Sequence, residues 1–168
     1  TGAYWAKEMG CPIERIVLAV NENKTIPDYL ESGEYIPRPS VKTLANAMDV
    51  GAPSNMERLF DLYKTYDEFK ANVSSWSVSD DEIRETIKKV YDETGYILCP
   101  HTACGEKVRR DHFEDVGTII VSTAHPAKFE TIVEPLIGKT IAIPENLYKI
   151  AQKESKAKEI EADYHLIF

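Results

Sequence analysis

The sequence predicts an α/β protein with a mostly parallel sheet flanked by helices, and two observations predict this class. First, the runs IERIVLAV (13–20) and VGTIIVST (116–123) are rich in β-branched residues and have the length of buried strands. Second, the segments between and after these runs have the apolar spacing of amphipathic helices. Alternation of strands with helices is typical of α/β folds with a parallel sheet.

The elements follow from local signals along the chain. A helix in the first ten residues ends at Gly10, and a short helix over 26–31 ends at Gly33. The stretch GEYIPRPSVKT that follows carries two prolines and predicts an extended loop. Ser79 with Glu82 predicts a capping box at the start of a helix that ends at Gly95. The remaining predicted elements are a helix capped by Ser54, a strand over 96–99, and helices over 101–113, 126–137 and 144–157.

The composition is that of an ordinary globular protein, with 43% hydrophobic and 29% charged residues in a chain of 168. We predict a single α/β unit over 1–168. The formal net charge of −8 argues against a nucleic-acid partner, which needs clustered Lys and Arg. No apolar run is long enough to cross a bilayer, so no membrane partner is predicted. Three irregularly spaced cysteines argue against a disulfide framework and favour a reducing, cytoplasmic setting.

The segment YILCPHTACGE (96–106) is the strongest candidate for chemistry. Cys99, His101 and Cys104 could supply three zinc ligands only if the junction folded tightly around the ion, and the other Cys and His residues are scattered. A Cys–His nucleophile is a second interpretation, but a cysteine at the end of an apolar strand usually packs as a small hydrophobe. The third interpretation concerns Thr102, whose neutral hydroxyl can donate to or accept from a ligand.

Three junctions leave predicted strands with polar residues: CPHTACG (99–105), VSTAHPAKFE (121–130) and NEN (21–23). In parallel α/β sheets, ligands bind at the carboxyl ends of strands, beside helix N-termini. Each junction alone also suits an ordinary turn or helix cap. Together they predict a ligand crevice at one edge of the sheet.

Three separated motifs in collinear order resemble threonine synthase, a pyridoxal-phosphate enzyme. They are LANAMDVGAPSNMERLF (44–60), CPHTACG (99–105) and STAHPAKF (122–129), and the opening segment TGAYWAKEMGCPIERIVLAVNEN fits the same family. The resemblance runs from Thr1 to about Ile143 and weakens beyond it. It implies the C-terminal part of a two-domain α/β enzyme with the tryptophan-synthase-β-like fold. The cofactor lysine and the glycine-rich phosphate loop then lie upstream and are absent from this chain.

The resemblance implies a lyase that converts O-phosphohomoserine and water into threonine and phosphate, with pyridoxal 5'-phosphate as cofactor. Thr102 occupies the family position whose hydroxyl binds the pyridine nitrogen. His101 and Ala103 are then expected at the edge of the cofactor site. The remaining N-terminal part of the same enzyme is the implied partner, and this chain alone is expected to be inactive because the lysine is missing.

Other motif residues are assigned only in part. Asn46, Asp49, Asn55 and Arg58 carry the family signature; we expect a structural role for Asp49 and leave Arg58 open. Lys24 stands where the family often has an acid. Relatives usually read DPHTAVG where this chain has Cys99 and Cys104, which favours packing roles for both cysteines.

Two other functions stay open. A related pyridoxal-phosphate lyase can share these motifs and release 2-oxobutyrate instead of threonine. A stand-alone, non-catalytic binding module is the other alternative. No catalytic residue, substrate-binding residue or metal ligand is assigned from the sequence.

Overall fold

A computed structural model describes residues 1–154 and 156–157. The helices in these residues, in chain order, are α1 Gly2–Glu8, α2 Thr25–Ser32, α3 Asn55–Leu62, α4 Tyr66–Asn72, α5 Asp80–Thr94, α6 Pro100–His112, α7 Glu130–Ile137 and α8 Glu145–Ala151. The strands are β1 Ile16–Val20 and β2 Val73–Ser77, and 3-10 turns occupy Asn46–Met48 and Pro126–Phe129. The single unit predicted over 1–168 includes residues 155 and 158–168, which lie outside this description.

The two strands pair in parallel, which confirms the predicted α/β class. Ile16 lies opposite Val73 and Val20 opposite Ser77. The pairing continues beyond β2, where the Val78 N–H donates to the Val20 carbonyl at 2.9 Å. A parallel pair needs a long crossover connection. Residues 21–72 provide it and place α2, α3 and α4 between the strands.

Local signals set the ends of several helices as predicted. The Ser79 and Glu82 side chains form a complete capping box at the start of α5. Gly33 and Gly95 end α2 and α5 in the left-handed conformation, with φ of 77° and 73°. Ser54 lies at the N-cap of α3 but makes no side-chain capping bond. Pro144 is the N-cap of α8, which ends at Ala151, earlier than predicted.

Two apolar cores hold these elements together. The first lies among α5, α6 and α7, where Ile83, Ile87, Ala103, Cys104 and Val133 are fully buried. The second is aromatic and joins the crossover helices to the sheet; its buried members are Tyr29, Met56, Tyr63, Phe69 and Val73. Aromatic rings in this second core meet mostly edge to face, an arrangement that their quadrupoles favour.

Two predicted strands are wrong in the described structure. Residues 96–99 and 116–123 run as irregular chain, and no ladder hydrogen bonds join them to a neighbour among the described residues. The side chains of Ile119 and Val121 are 91% and 77% exposed. A strand exists only through its hydrogen-bonded neighbours, so β-branched composition is not sufficient. Conversely, β2 and α4 were not predicted. No helix among the described residues is long and apolar enough to span a membrane.

Candidate functional site

A cavity of about 330 Å³ lies at the N-terminus of α6. Residues 96–99 form one wall, and residues 122–126 form the other. Its lining residues are Tyr96, Ile97, Leu98, Cys99, Thr102, Ser122, Thr123, Ala124, His125 and Pro126. The volume is in the range of small-molecule sites. Two of the three predicted polar junctions therefore meet at one cavity.

Thr102 is the most buried hydroxyl in the lining and has two polar neighbours. Its Oγ1 lies 2.9 Å from the Ser122 Oγ and 3.2 Å from the Cys99 Sγ. The residue lies in the first turn of α6 and is 7% exposed. Helix α6 and the opposite wall of the cavity therefore determine the position of the Thr102 hydroxyl and its hydrogen-bond partners. The result is a pair of neutral hydroxyls that can donate to or accept from a ligand.

The lining carries no full charge. None of the lining residues is Asp, Glu, Lys or Arg. The imidazole of His125 is engaged locally, because its Nδ1 accepts from the Ala127 N–H at 3.2 Å and caps the turn Pro126–Phe129. Such a cavity suits an uncharged acceptor such as an aromatic ring nitrogen. A carboxylate there would favour a protonated ring nitrogen instead.

His101 connects two of the quoted motifs. Its Nε2 accepts from the Ala47 N–H at 3.0 Å, and its ring packs against Phe129 with centroids 4.9 Å apart. Because Nε2 accepts, the neutral ring carries its proton on Nδ1, which is buried without a hydrogen-bond partner in the described structure. Burial lowers the pKa of His101, partly offset by the charge of Asp49. His101 is thus a neutral tie between α6 and the NAMD segment.

Replacing His101 with Phe is expected to lower the free energy of unfolding by about 1 kcal/mol at pH 7.5, because the Ala47 N–H loses its acceptor. The folded pKa of His101 is depressed, so its contribution is complete above the unfolded value near 6.5 and is lost as pH falls through the folded pKa. Urea unfolding at pH 7.5 and pH 5.0 measures both effects. The difference between wild type and His101→Phe should shrink at the lower pH; a constant difference contradicts the prediction.

Ala103 and the two cysteines of the segment are core residues. Ala103 and Cys104 are completely buried, and Cys99 is 2% exposed. Burial and the nearby Cys99 raise the pKa of Cys104 to about 12. Its thiol therefore stays protonated at neutral pH, which agrees with the predicted packing role. Among the described residues, no group of three or more His, Cys, Asp or Glu side chains is placed to hold a metal.

Alkylation should distinguish the buried thiol of Cys104 from the exposed thiol of Cys11. At pH 8, a thiol with a pKa of about 12 is ionised in only about one molecule in ten thousand, so iodoacetamide should leave Cys104 unmodified in the folded protein. Exposed Cys11 should react. Peptide mass spectrometry after a timed reaction measures both. Denaturation should make Cys104 react at the rate of Cys11, and rapid labelling of native Cys104 would show that it is accessible.

The asparagine side chains of the third junction, NEN, take part in a hydrogen-bond network within the protein. The Asn21 Nδ2 donates to Asp49 Oδ1 and Thr43 Oγ1, both at 2.8 Å, and Asn21 Oδ1 accepts from the Asn23 N–H and side-chain amide. Asp49 also accepts from the N–H and the hydroxyl of Thr43. These bonds fasten the loop 41–51 to the end of β1. The contacts support the structural role expected for Asp49.

The remaining motif residues lie at the surface. Arg58 donates to Asn55 Oδ1 at 2.8 Å, one turn earlier on α3, and both residues are exposed. Asn46 is exposed at the start of the 3-10 turn. Of the three predicted cofactor residues, Thr102 lines the cavity, whereas His101 and Ala103 are not among its lining residues. Cofactor roles for these two residues stay predictions.

Ser122 lies within the motif STAHPAKF but was not predicted as a site residue from the sequence. The sequence shows that Ser122 lies two positions after Ile120, but it does not show that either residue contacts α6. In the structure, Ile120 lies against Gly105 of α6, and Ser122, two positions further along, contacts Thr102 of the same helix. The exposed residues Ile119 and Val121 alternate with them.

Comparison with known proteins gives one consistent result. A sequence model described as "Threonine synthase, C-terminal" matches residues 102–167, beyond the point where the resemblance was expected to weaken. Threonine synthase from Haemophilus influenzae is 38% identical over 165 residues, which is 98% of this chain and 39% of the relative. Threonine synthase from Escherichia coli (strain K12) is 32% identical over 98% of this chain and 38% of its own length.

Solved structures of threonine synthases are also similar to this chain. A crystal structure of threonine synthase from Brucella melitensis with PLP bound matches with a TM-score of 0.81 and 31% identity, over 90% of this chain and 38% of that chain. The yeast threonine synthase structure matches with a TM-score of 0.78 and 31% identity, over 98% of this chain and 43% of that chain. The chain therefore spans about two fifths of the relatives that it matches, and it corresponds to their C-terminal portion.

Proposed function

We propose that this chain, which belongs to the threonine synthase family, forms the C-terminal portion of an enzyme that converts O-phosphohomoserine and water into threonine and phosphate. Support comes from the collinear match over 98% of the chain to a threonine synthase. The observation in the structure that carries the proposal is the uncharged cavity at the start of α6, where Thr102 and Ser122 present hydroxyls. A cytoplasmic location remains part of the proposal.

The uncharged lining of the cavity suits the pyridine-nitrogen end of pyridoxal phosphate. When bound, this cofactor supplies an electron sink for bond cleavage next to the substrate amine. Thr102 would hold the pyridine nitrogen through a neutral hydrogen bond, which leaves that nitrogen unprotonated. The lining offers no cation for the phosphate and no lysine for covalent attachment. We propose that both groups belong to the part of the enzyme that precedes the matched region.

Product analysis of the full-length protein tests the function. The protein should show an absorbance band near about 410 nm, typical of lysine-bound pyridoxal phosphate. It should then release threonine and phosphate in equal amounts from O-phosphohomoserine. Release of 2-oxobutyrate as the sole organic product, together with ammonia and phosphate, would establish the related lyase instead. Absence of both the band and any turnover would favour the non-catalytic binding module.

The variant Thr102→Val tests the assignment of the cofactor contact. Valine keeps the volume of the side chain and removes the hydroxyl, so we expect the cofactor to bind about tenfold more weakly in the full-length protein. Turnover should fall because the ring nitrogen loses its partner. Titration of the apoenzyme with pyridoxal phosphate, followed by fluorescence, measures the change. Thr102→Ser restores the hydroxyl and should restore affinity; wild-type affinity in Thr102→Val contradicts the role.

A further inference from the structure

We propose that Ser122 is a positioning residue, which donates its proton to the Thr102 oxygen and thereby directs the Thr102 proton into the cavity. The inference rests on the proposed function, because it needs an acceptor such as the pyridine nitrogen in that cavity. It concerns a residue on the opposite wall, twenty positions from Thr102.

The Thr102 hydroxyl has a limited number of hydrogen bonds to share among its neighbours. A hydroxyl has one proton to donate and two lone pairs to accept with. In the structure, Thr102 Oγ1 has two side-chain partners, Ser122 Oγ at 2.9 Å and Cys99 Sγ at 3.2 Å. If Thr102 gives its only proton to a ring nitrogen, it must act as acceptor towards its other neighbours. Ser122 is the stronger donor of the two, since a thiol donates weakly.

The same contact fixes the rotamer of Thr102. In a helix interior a Thr hydroxyl can turn back and bond the carbonyl three or four residues earlier; for Thr102 these carbonyls belong to Cys99 and Leu98, which precede α6. No such bond is present at Thr102 in the described structure, and its hydroxyl faces the opposite wall instead. A partner on that wall therefore keeps the hydroxyl in the cavity. Without the Ser122 hydroxyl, the Thr102 oxygen keeps only the weakly hydrogen-bonding Cys99 thiol as a side-chain partner in the described structure.

A close approach of two segments sets the distance between the hydroxyls. The side chain of Ile120 packs against Gly105 so closely that a Cβ atom at Gly105 would lie 2.9 Å from Ile120 Cγ2. Glycine at this position therefore allows the side chain of Ile120 to lie directly on α6. Ser122, two residues after Ile120, is brought within hydrogen-bond distance of Thr102 by this packing.

Apart from its contact with Thr102, Ser122 contributes little to the stability of the fold. It is exposed, and its one hydrogen bond in the described structure is the bond to Thr102. The variant Ser122→Ala should therefore fold as the wild type does. A change in cofactor binding on this substitution would report on the hydroxyl pair rather than on the stability of the fold.

The experiment is a double-mutant cycle in the full-length protein with Ser122→Ala, Thr102→Val and the double variant. Two quantities are measured: the apparent dissociation constant of pyridoxal phosphate and the ¹⁵N chemical shift of the labelled pyridine nitrogen. Ser122→Ala should weaken binding about threefold to tenfold and move the nitrogen signal towards its position in Thr102→Val. In the Thr102→Val background, Ser122→Ala should change neither quantity, because its effect passes through Thr102.

Thr118→Ala is the matched control. It removes a hydroxyl from the same segment, where Thr118 is exposed and donates to the Val116 carbonyl. Affinity and nitrogen shift should stay at wild-type values. The inference is overturned if Ser122→Ala also leaves both quantities unchanged, or if it has the same effect in both backgrounds. These results leave the proposed function intact, whereas a wild-type protein that does not bind the cofactor overturns both.

Discussion

Replacing Gly51 with alanine is expected to lower the free energy of unfolding by about 3 kcal/mol, the largest effect of any single methyl group added at a glycine of this protein. A Cβ atom at Gly51 would lie 2.1 Å from the carbonyl oxygen of Arg38. That atom belongs to the backbone and cannot move without the chain around it. The same backbone is held by the Arg38 N–H, which donates to the Gly51 carbonyl at 3.0 Å.

The displacement would extend beyond Gly51. The buried hydroxyl of Thr25 donates to the Gly51 carbonyl at 2.9 Å, and the Gly51 N–H donates to the Ser40 hydroxyl. Alanine would strain or break these bonds together with the packing of residues 38–40. Since the loop 41–51 carries Ala47, the partner of His101, the strain should also loosen the contact between this loop and α6.

Urea unfolding of Gly51→Ala beside Gly117→Ala measures the effect. Gly117 is exposed, its φ is not in the left-handed region, and a Cβ atom there meets nothing within 4 Å. The control should therefore lie within about 0.5 kcal/mol of wild type. Equal stability of the two variants would mean that residues 38–40 do not pack against Gly51 as described.

Signals that are local in sequence predicted structure reliably in this protein. The Ser79–Glu82 capping box and the left-handed glycines Gly33 and Gly95 act within one helical turn, so four or five residues contain the whole interaction. Thr102 and the packing role of Cys99 and Cys104 were also accessible. Thr102 was singled out through the resemblance to threonine synthase, and its cofactor contact stays a prediction. The packing role of the cysteines followed from the apolar run before Cys99 and from the residues that relatives carry at both positions.

Features that depend on distant partners were not predictable in the same way. The segment VSSWS (73–77) carries three serines and resembles a loop, yet it is a strand because β1 lies beside it. The segment VGTIIVST has better strand composition, and the described residues provide it with no neighbour. The Thr102–Ser122 contact and the Asn21–Asp49 contact join residues 20 and 28 positions apart. No spacing rule connects such pairs in a single sequence.

At the NEN junction, polar residues do follow a strand, but the two asparagines stabilise the fold and do not face a ligand. Polar residues at a strand end were expected to face a ligand. Asn21 is instead completely buried, and both ends of its amide are engaged by the chain itself. Outside the 3-10 turn Asn46–Met48, the loop 41–51 has no regular structure, so its buried polar groups are satisfied largely by side chains. These side chains include those of Asn21, Asn23 and Asp49.

Replacing Asn21 with leucine should therefore lower the free energy of unfolding by about 3 kcal/mol. Leucine has the same branching of heavy atoms but is larger, and it cannot donate to Asp49, Thr43 or the Ala45 carbonyl, which all accept from the Asn21 amide. The buried Asn23 N–H would lose its acceptor as well. An apolar side chain gains transfer free energy at this site, but several polar groups and one carboxylate lose partners at the same time.

The matched control is Asn146→Leu, because Asn146 is exposed on α8. Urea unfolding should place this control within about 0.5 kcal/mol of wild type. The two variants make the same chemical change, so the difference between them isolates the loss of the buried network from the general effect of leucine. Hydrogen exchange adds a local measurement: the Val41 and Thr43 amides, which donate to Asn23 and Asp49, should exchange faster in Asn21→Leu. Unchanged protection of these amides would show that the loop is held without Asn21, and the stabilising role assigned to the network would then be wrong.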